Sequence, residues 1–155
     1  MSYSSETAKI RNKVIKYCTG SGADLGCGND IITPWAVGVD QRTTVDRVWI
    51  KHVTDVSKEL PFKTESLDFV FSSHCLEDIS NTENTLKEWI RVIKPGGFLV
   101  LYLPHKDLYK GVNPEHKQEF DNIAIETHLK NFNMMIYESY IHKGHYSFVV
   151  VGRKR

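Results

Sequence analysis

Apolar residues recur along the chain in two alternating rhythms. Ile10, Val14 and Tyr17 stand four and three residues apart, the spacing of one helix face. They predict an amphipathic helix over about residues 5–17, with Ser4 or Ser5 as its N-cap and Gly20 and Gly22 beyond its end. Short apolar runs then predict strands at residues 23–25, 35–40 and 48–53. The run at residues 67–72 is continuous, as expected of a strand buried on both faces. The clearest helical stripe is Leu86, Trp89, Ile90 and Ile93, opened by a capping box at Ser80-Asn81-Thr82-Glu83 and stopped by Lys94-Pro95-Gly96-Gly97. Residues 98–103 read as another buried strand, closed by Pro104. Asn113-Pro114-Glu115 reads as a cap, a proline at the first helical position and an acid in the first turn, predicting a helix to about Lys130. Residues 134–141 and 146–151 are two strands joined near Lys143-Gly144-His145, the one hairpin signal.

Strands alternating with helices and ending in a hairpin define an α/β fold. The expected sheet is doubly wound and mostly parallel, with one antiparallel strand near the C-terminus. No linker or repeat divides the sequence, so residues 1–155 are read as a single domain. Composition alters this little: 41% hydrophobic and 25% charged residues describe a globule, not a disordered chain. A formal charge of +1 lacks the strongly basic balance that duplex nucleic acid rewards, so nucleic acid is not the expected partner. Cys18, Cys27 and Cys75 are scattered and odd in number, which argues against disulfides or a zinc site and for a reducing compartment. With no signal-peptide pattern and no apolar run of membrane-spanning length, the expectation is a cytoplasmic protein without a membrane partner.

In a parallel sheet, ligands bind beyond the carboxyl ends of the strands, so the residues just after each strand carry the information. Gly26 and Gly28 follow the first strand and allow a tight turn with close backbone approach to a ligand. Asp40 ends the second, placed to accept hydrogen bonds from ribose hydroxyls; Asp55 follows the third, and Ser72-Ser73-His74 the fourth. Together these predict a nucleoside site. The third glycine of a dinucleotide fingerprint is replaced, because Gly28 is followed by Asn29-Asp30. Too few residues then precede Val37 for a crossover helix. A pyrophosphate would lack its helix N-terminus, which disfavours a nicotinamide- or flavin-dependent oxidoreductase.

These residues resemble the class I S-adenosylmethionine-dependent methyltransferases, specifically the methyltransferase type 11 group. Asp24-Leu25-Gly26-Cys27-Gly28 is similar to their glycine-rich first motif, and Val37-Gly38-Val39-Asp40 to the ribose-binding acid that follows. Leu60-Pro61-Phe62 with residues 66–74 is similar to the fourth-strand signature, and residues 88–99 to the helix, turn and fifth strand. The resemblance spans about residues 20–105 and implies a Rossmann-like sheet with S-adenosylmethionine as cofactor. It implies that Gly26 and Gly28 line the methionine part, with Asp24 holding the loop and the amino group. Asp40 would bind the ribose, Gln41 would lie beside the adenine, and Asp55 would take the adenine amino group with Val56 against the ring. Ser73 and His74 would flank the sulfonium, whereas Asp68 and the turn at residues 94–97 would be structural. The family often carries Leu-Glu-His after the fourth strand, where this chain has Leu76-Glu77-Asp78.

Methyl transfer from a sulfonium needs alignment and exclusion of water, and a base only if the acceptor carries a proton. His105, ahead of His74, is the candidate base, since both follow strands; each alone is also what an ordinary loop histidine looks like. The polar segment 104–117 is a candidate lid for a small hydroxylated acceptor such as a sugar, or an ordinary loop entering a helix. His105 with His116 completes no metal-ligand set, so no metal is expected. The expected function is methyl transfer to a small-molecule or glycan-like acceptor. The alternative is a catalytically idle domain that keeps the cofactor or a partner.

Overall fold

The computed structural model describes residues 4–42 and 50–155. Helix α1 (Glu6–Val14) is capped by Ser5, whose side chain accepts from the Ala8 N–H, and passes into a 3-10 turn at Ile15–Tyr17. Strands β1 (Gly22–Leu25), β2 (Val37–Asp40), β3 (Ile50–Val53) and β4 (Leu67–Ser73) follow, then helix α2 (Thr82–Arg91) and β5 (Ile93–Pro104). Helix α3 (Asn122–Asn131) precedes the hairpin of β6 (Met134–Ile141) and β7 (Ser147–Lys154). The seven strands lie in the order β3-β2-β1-β4-β5-β7-β6. β7 runs antiparallel to both neighbours, and every other pairing is parallel. The expected mostly parallel sheet with one antiparallel strand is therefore present.

Strand alternation sorts the core into two layers. On β4, Phe69 and Phe71 face one side and pack with Ile10, Val14 and Tyr17 of the first helical segment. Val70 faces the other side, where Leu86, Trp89 and Ile90 of α2 and Leu129 of α3 cover the sheet. Strand order reverses between β1 and β4, and that switch point is where a crevice opens at the carboxyl ends. No helix fills the link from β1 to β2. Instead Arg11 of α1 donates to the carbonyls of Ile31 and Ile32 and pairs with Asp30, so α1 holds the short link against the sheet.

Several predicted boundaries move. Val48 and Trp49 of the predicted third strand lie outside the described residues; β3 begins at Ile50. The cap of α2 is Asn81, whose side chain accepts from the Asn84 N–H, and not Ser80, whose carbonyl accepts from Gln118 instead. Lys94-Pro95-Gly96-Gly97 does not stop the helix: α2 ends at Arg91, and the four residues form the irregular start of β5. A Cβ at Gly97 would stand 2.7 Å from the Asp68 carbonyl, so that glycine serves strand contact. The largest change is at Asn113-Pro114-Glu115. There the Asn113 side chain accepts from the Glu115 N–H and its carbonyl from the His116 N–H, closing a local turn. The predicted helix starts eight residues later than expected, at Asn122, with Asp121 accepting from the Ala124 N–H.

Candidate active site

The crevice at the switch point is a cavity of about 660 Å³. Seven of the nine residues expected at a cofactor line it: Gly26, Gly28, Asp40, Gln41, Asp55, Val56 and His74. They arrive from the ends of four strands, β1 to β4. The Gly26 and Cys27 N–H groups donate to the Val39 carbonyl, tying the turn after β1 to the end of β2. Gly26 has φ 73° and Gly28 φ 53°, both in the left-handed region. A Cβ on Gly26 would fall 2.5 Å from Cys75 Sγ, whereas one on Gly28 meets nothing nearer than 4.0 Å. Gly26 is thus needed for packing, and Gly28 keeps open space at the cavity.

Asp40 is buried and binds the turn itself, accepting from the Gly28 N–H through Oδ2 (2.8 Å) and the Arg42 N–H through Oδ1 (2.9 Å). Asp55 accepts from both the hydroxyl and the N–H of Ser57, which hold its carboxyl below the usual carboxylate range. The segment following β3 is fixed by Trp89, whose indole N–H donates to the Val56 carbonyl at 2.8 Å.

Asp24 and Ser73 do not line the cavity; both are buried behind it. Asp24 Oδ2 accepts from the Ile32 N–H at 2.7 Å, which is the loop-holding part of its expected role. Its Oδ1 and the Ser73 Oγ have no hydrogen-bond partner. Burial, opposed by the Ile32 N–H, pushes the Asp24 carboxyl up to about 8.

His74 stands at the cavity in a left-handed conformation, φ 48°, with its N–H on the Tyr102 carbonyl. Its Nε2 lies 2.9 Å from Ser147 Oγ and 3.5 Å from Glu6 Oε2, so β7 and α1 both reach it. Burial lowers its pKa to about 4, against the pull of Glu6, leaving a neutral ring at neutral pH. His105 is elsewhere. It lines a second cavity of about 390 Å³ with Lys106, Tyr109, His116, Lys117 and Gln118, so the two candidate bases are not brought together. β5 runs on to Pro104, and the chain then turns away with the His105 N–H on the Tyr146 carbonyl.

The sequence reading missed the wall supplied by residues 75–84. After β4 a 3-10 turn at Leu76–Asp78 leads to the cap of α2, and Cys75, Asp78, Ser80, Asn81 and Asn84 face the cavity. The available signal was the polar run between the fourth strand and the helix cap. Asp78 Oδ1 also lies 4.0 Å from Nε2 of His116, which lines the second cavity.

A seven-stranded sheet with β7 reversed, a glycine turn after β1 and an acid ending β2 together define the fold of class I S-adenosylmethionine-dependent methyltransferases. Residues 23–101 match the methyltransferase domain family, and the chain belongs to it. It is 27% identical over 124 residues to the uncharacterized protein MJ1123 of Methanocaldococcus jannaschii, an alignment covering 76% of this chain and 59% of that protein. The chain thus spans about three fifths of that relative's length. Among solved structures, it resembles a 1,6-didemethyltoxoflavin-N1-methyltransferase of Burkholderia thailandensis, solved with its substrate and S-adenosylhomocysteine. There the TM-score is 0.76 at 14% identity, with 97% of this chain and 78% of that one covered. An S-adenosylmethionine-dependent methyltransferase from Aquifex aeolicus superposes with a TM-score of 0.70 at 18% identity, covering 92% and 88% of the two chains. No helix among the described residues is long and apolar enough to cross a membrane.

Proposed function

We propose that this chain binds S-adenosylmethionine in the larger cavity and transfers its methyl group to a small hydroxylated molecule, such as a sugar, held beside it. One observation carries the reading: the ends of β1, β2 and β4 and the segment after β3 bring Gly28, Asp40, Asp55 and His74 to one crevice. Its volume suits a nucleoside-sized ligand. The open face of Gly28 leaves room for close approach, and the residual lone pairs of Asp40 suit ribose hydroxyls. By the family resemblance Asp55 would meet the adenine amino group, with Gln41 and Val56 at the ring. Asp24, set behind the wall, steadies the link through Ile32. The cofactor supplies an activated methyl, so the chain's task is alignment and exclusion of water.

Neutral His74, with Nε2 in a hydrogen bond, is the base nearest this cavity. His105 faces the second cavity, whose Lys106, Tyr109, His116 and Gln118 offer donors and acceptors to a hydroxylated acceptor. That polar lining supports a sugar-like acceptor over an apolar one.

The test is thermal unfolding with S-adenosylhomocysteine, S-adenosylmethionine and a nicotinamide dinucleotide. A ligand at 100 times its Kd adds about 2.7 kcal/mol, a rise of roughly 5–10 °C for a domain of this size. The two sulfur nucleosides should give that rise and the dinucleotide none. Asp40→Ala should abolish the ligand-induced rise, beyond any lowering of the starting temperature from loss of the Gly28 and Arg42 bonds. Asp55→Ala, whose partners are only local, should shrink it. Absence of a rise with either sulfur nucleoside would overturn the reading. Release of S-adenosylhomocysteine in a screen of hydroxylated acceptors then separates an active transferase from an idle domain.

A further inference from the structure

Three side chains that the cofactor reading leaves unused meet where the two cavities adjoin. Glu77 and Asp78 sit on the 3-10 turn after β4, and His116 comes from the turn closed by Asn113. The Lys117 and Gln118 N–H groups donate to the Glu77 carbonyl at 2.7 and 2.9 Å, clamping the later segment onto the turn. That clamp delivers His116 Nε2 to 4.0 Å from Glu77 Oε1 and 4.0 Å from Asp78 Oδ1. One donor atom from each residue lies within 4.8 Å of the others.

The cluster is unfinished as a purely protein arrangement. Glu77 is only 2% exposed, yet its Oε2 has no hydrogen-bond partner, and the buried Asp78 Oδ1 has none either. Among the described residues no lysine or arginine nitrogen lies within ion-pair distance of either carboxylate; the His74 and His116 rings come closest, with Arg42 and Lys117 acting on Asp78 from farther off. Buried carboxylates are ordinarily paired, held neutral by a proton or bound to a metal, and only a partner or an ion draws a carboxylate, a second acid and an imidazole to one point. We propose that Glu77, Asp78 and His116 form a divalent-cation site in the wall shared by the two cavities.

The geometry is close to what an ion requires. Donors about 2.1 Å from a common ion stand about 3.0 Å apart at right angles and about 4.2 Å apart across it. The present spacing is reached from either arrangement by side-chain movements of no more than about 1 Å. Two carboxylate oxygens and one imidazole suit Mn²⁺ better than a thiol-seeking ion, and three protein donors leave positions open to water or a substrate oxygen. Since Asp78 lines the cofactor cavity and His116 the second, those positions lie between them. If the methyltransfer reading holds, the ion would bind the acceptor's hydroxyl oxygen and ease transfer of its proton to the His74 ring, whose Nδ1 lies 3.9 Å from Glu77 Oε1. Cation binding itself does not depend on that reading. The set is not legible in the sequence, because His116 is thirty-eight residues from Asp78 and no metal-ligand spacing joins them.

The experiment is titration of the whole chain with Mn²⁺ alone, read by loss of the free-ion electron paramagnetic resonance signal. Mn²⁺ avoids competition from the thiols of Cys18, Cys27 and Cys75. One saturable equivalent is expected, and His116→Ala and Asp78→Asn should each weaken it at least about tenfold. His116→Ala removes a ring outside the core, so circular dichroism and the melting temperature should show it folded. No saturable equivalent below about 1 mM, the weak end of protein cation sites, overturns the proposal. So does a Mn²⁺ affinity unchanged in both folded variants. The S-adenosylhomocysteine shift measured on the same samples reports separately on the cofactor reading: binding of one ligand without the other sinks only the reading that failed.

Discussion

Asp24 shows how one buried carboxyl can shape the pH response of the whole fold. It is fully buried, one oxygen on the Ile32 N–H and the other without a partner, and burial raises its pKa to about 8. In the unfolded chain the same group titrates near 3.9. Between those values the folded state holds a proton that the unfolded state has released. Stability attributable to Asp24 therefore falls as pH rises from about 4 to about 8, then levels. His74 acts oppositely: its folded pKa of about 4 lies below its unfolded value, so its share of stability falls as pH drops from about 6.5 to about 4. The two trends partly cancel in acid. Asp24→Asn isolates the first, since its amide oxygen can still accept from Ile32 but cannot ionise. The melting temperature of the variant minus that of the unaltered chain should climb from about pH 4 to about pH 8. A difference flat across that window would mean that Asp24 is ionised in the fold. The sequence showed this acid ahead of a glycine turn, which was enough to mark it; that it stands behind the wall depends on the depth of the link it binds. His105 shows a related limit: following a strand predicts which end of the sheet a residue occupies, not which cavity it enters.

Helix α2 links the core to the site through one side chain. Trp89 is fully buried between α2 and the sheet, and its indole N–H is the donor to the Val56 carbonyl. Burying the ring fixes the helix, and the hydrogen bond fixes the segment that carries Asp55. Trp89→Phe keeps most of the packing but leaves the Val56 carbonyl without that donor and a gap beside it, a cost of roughly 2 kcal/mol. The expected outcome is a folded chain with a lower melting temperature by denaturant or heat. Its S-adenosylhomocysteine shift should also be smaller than lost stability alone explains, because the wall proposed to meet the adenine is loosened. An unchanged shift would show that Val56 is held without Trp89. At this scale the sequence was most legible where burial is strong: the stripe of Leu86, Trp89 and Ile90 and the run at β4 gave their elements correctly. It was least legible where polar residues serve two kinds of turn. Asn113-Pro114-Glu115 carries the signature of a helix start, yet the same Asn113 acceptor closes an isolated turn just as well. Asp121, with the equivalent capping chemistry, starts the real helix because Ile125 and Leu129 behind it have a core to enter.

Across the whole molecule, the sheet is firm at its centre and lightly held at the edge that borders the cofactor cavity. β4 and β5 are paired on both sides and buried between two layers, whereas β3 is a four-residue edge strand of which every second residue is exposed. Among the described residues after β2, Gln41 and Arg42 are exposed, with the Arg42 N–H on Asp40, whereas the segment after β3 enters the core at Val56 and Leu60. Regions with few buried contacts open at lower free energy than the core. Hydrogen exchange should therefore be slowest in β4 and β5, where amides report global unfolding, and fast in β3. In the proposed site, S-adenosylhomocysteine would join groups from four separate strand ends. It should slow exchange after β2 and β3 and along residues 74–84, and leave the β6–β7 hairpin unchanged apart from the global gain in stability. Protection confined to the second cavity, around residues 105–119, would place the nucleoside there and overturn the assignment of the larger crevice. Protection spread along the β3 side of the switch point would instead show that the ligand completes a sheet edge which the chain alone leaves loosely held.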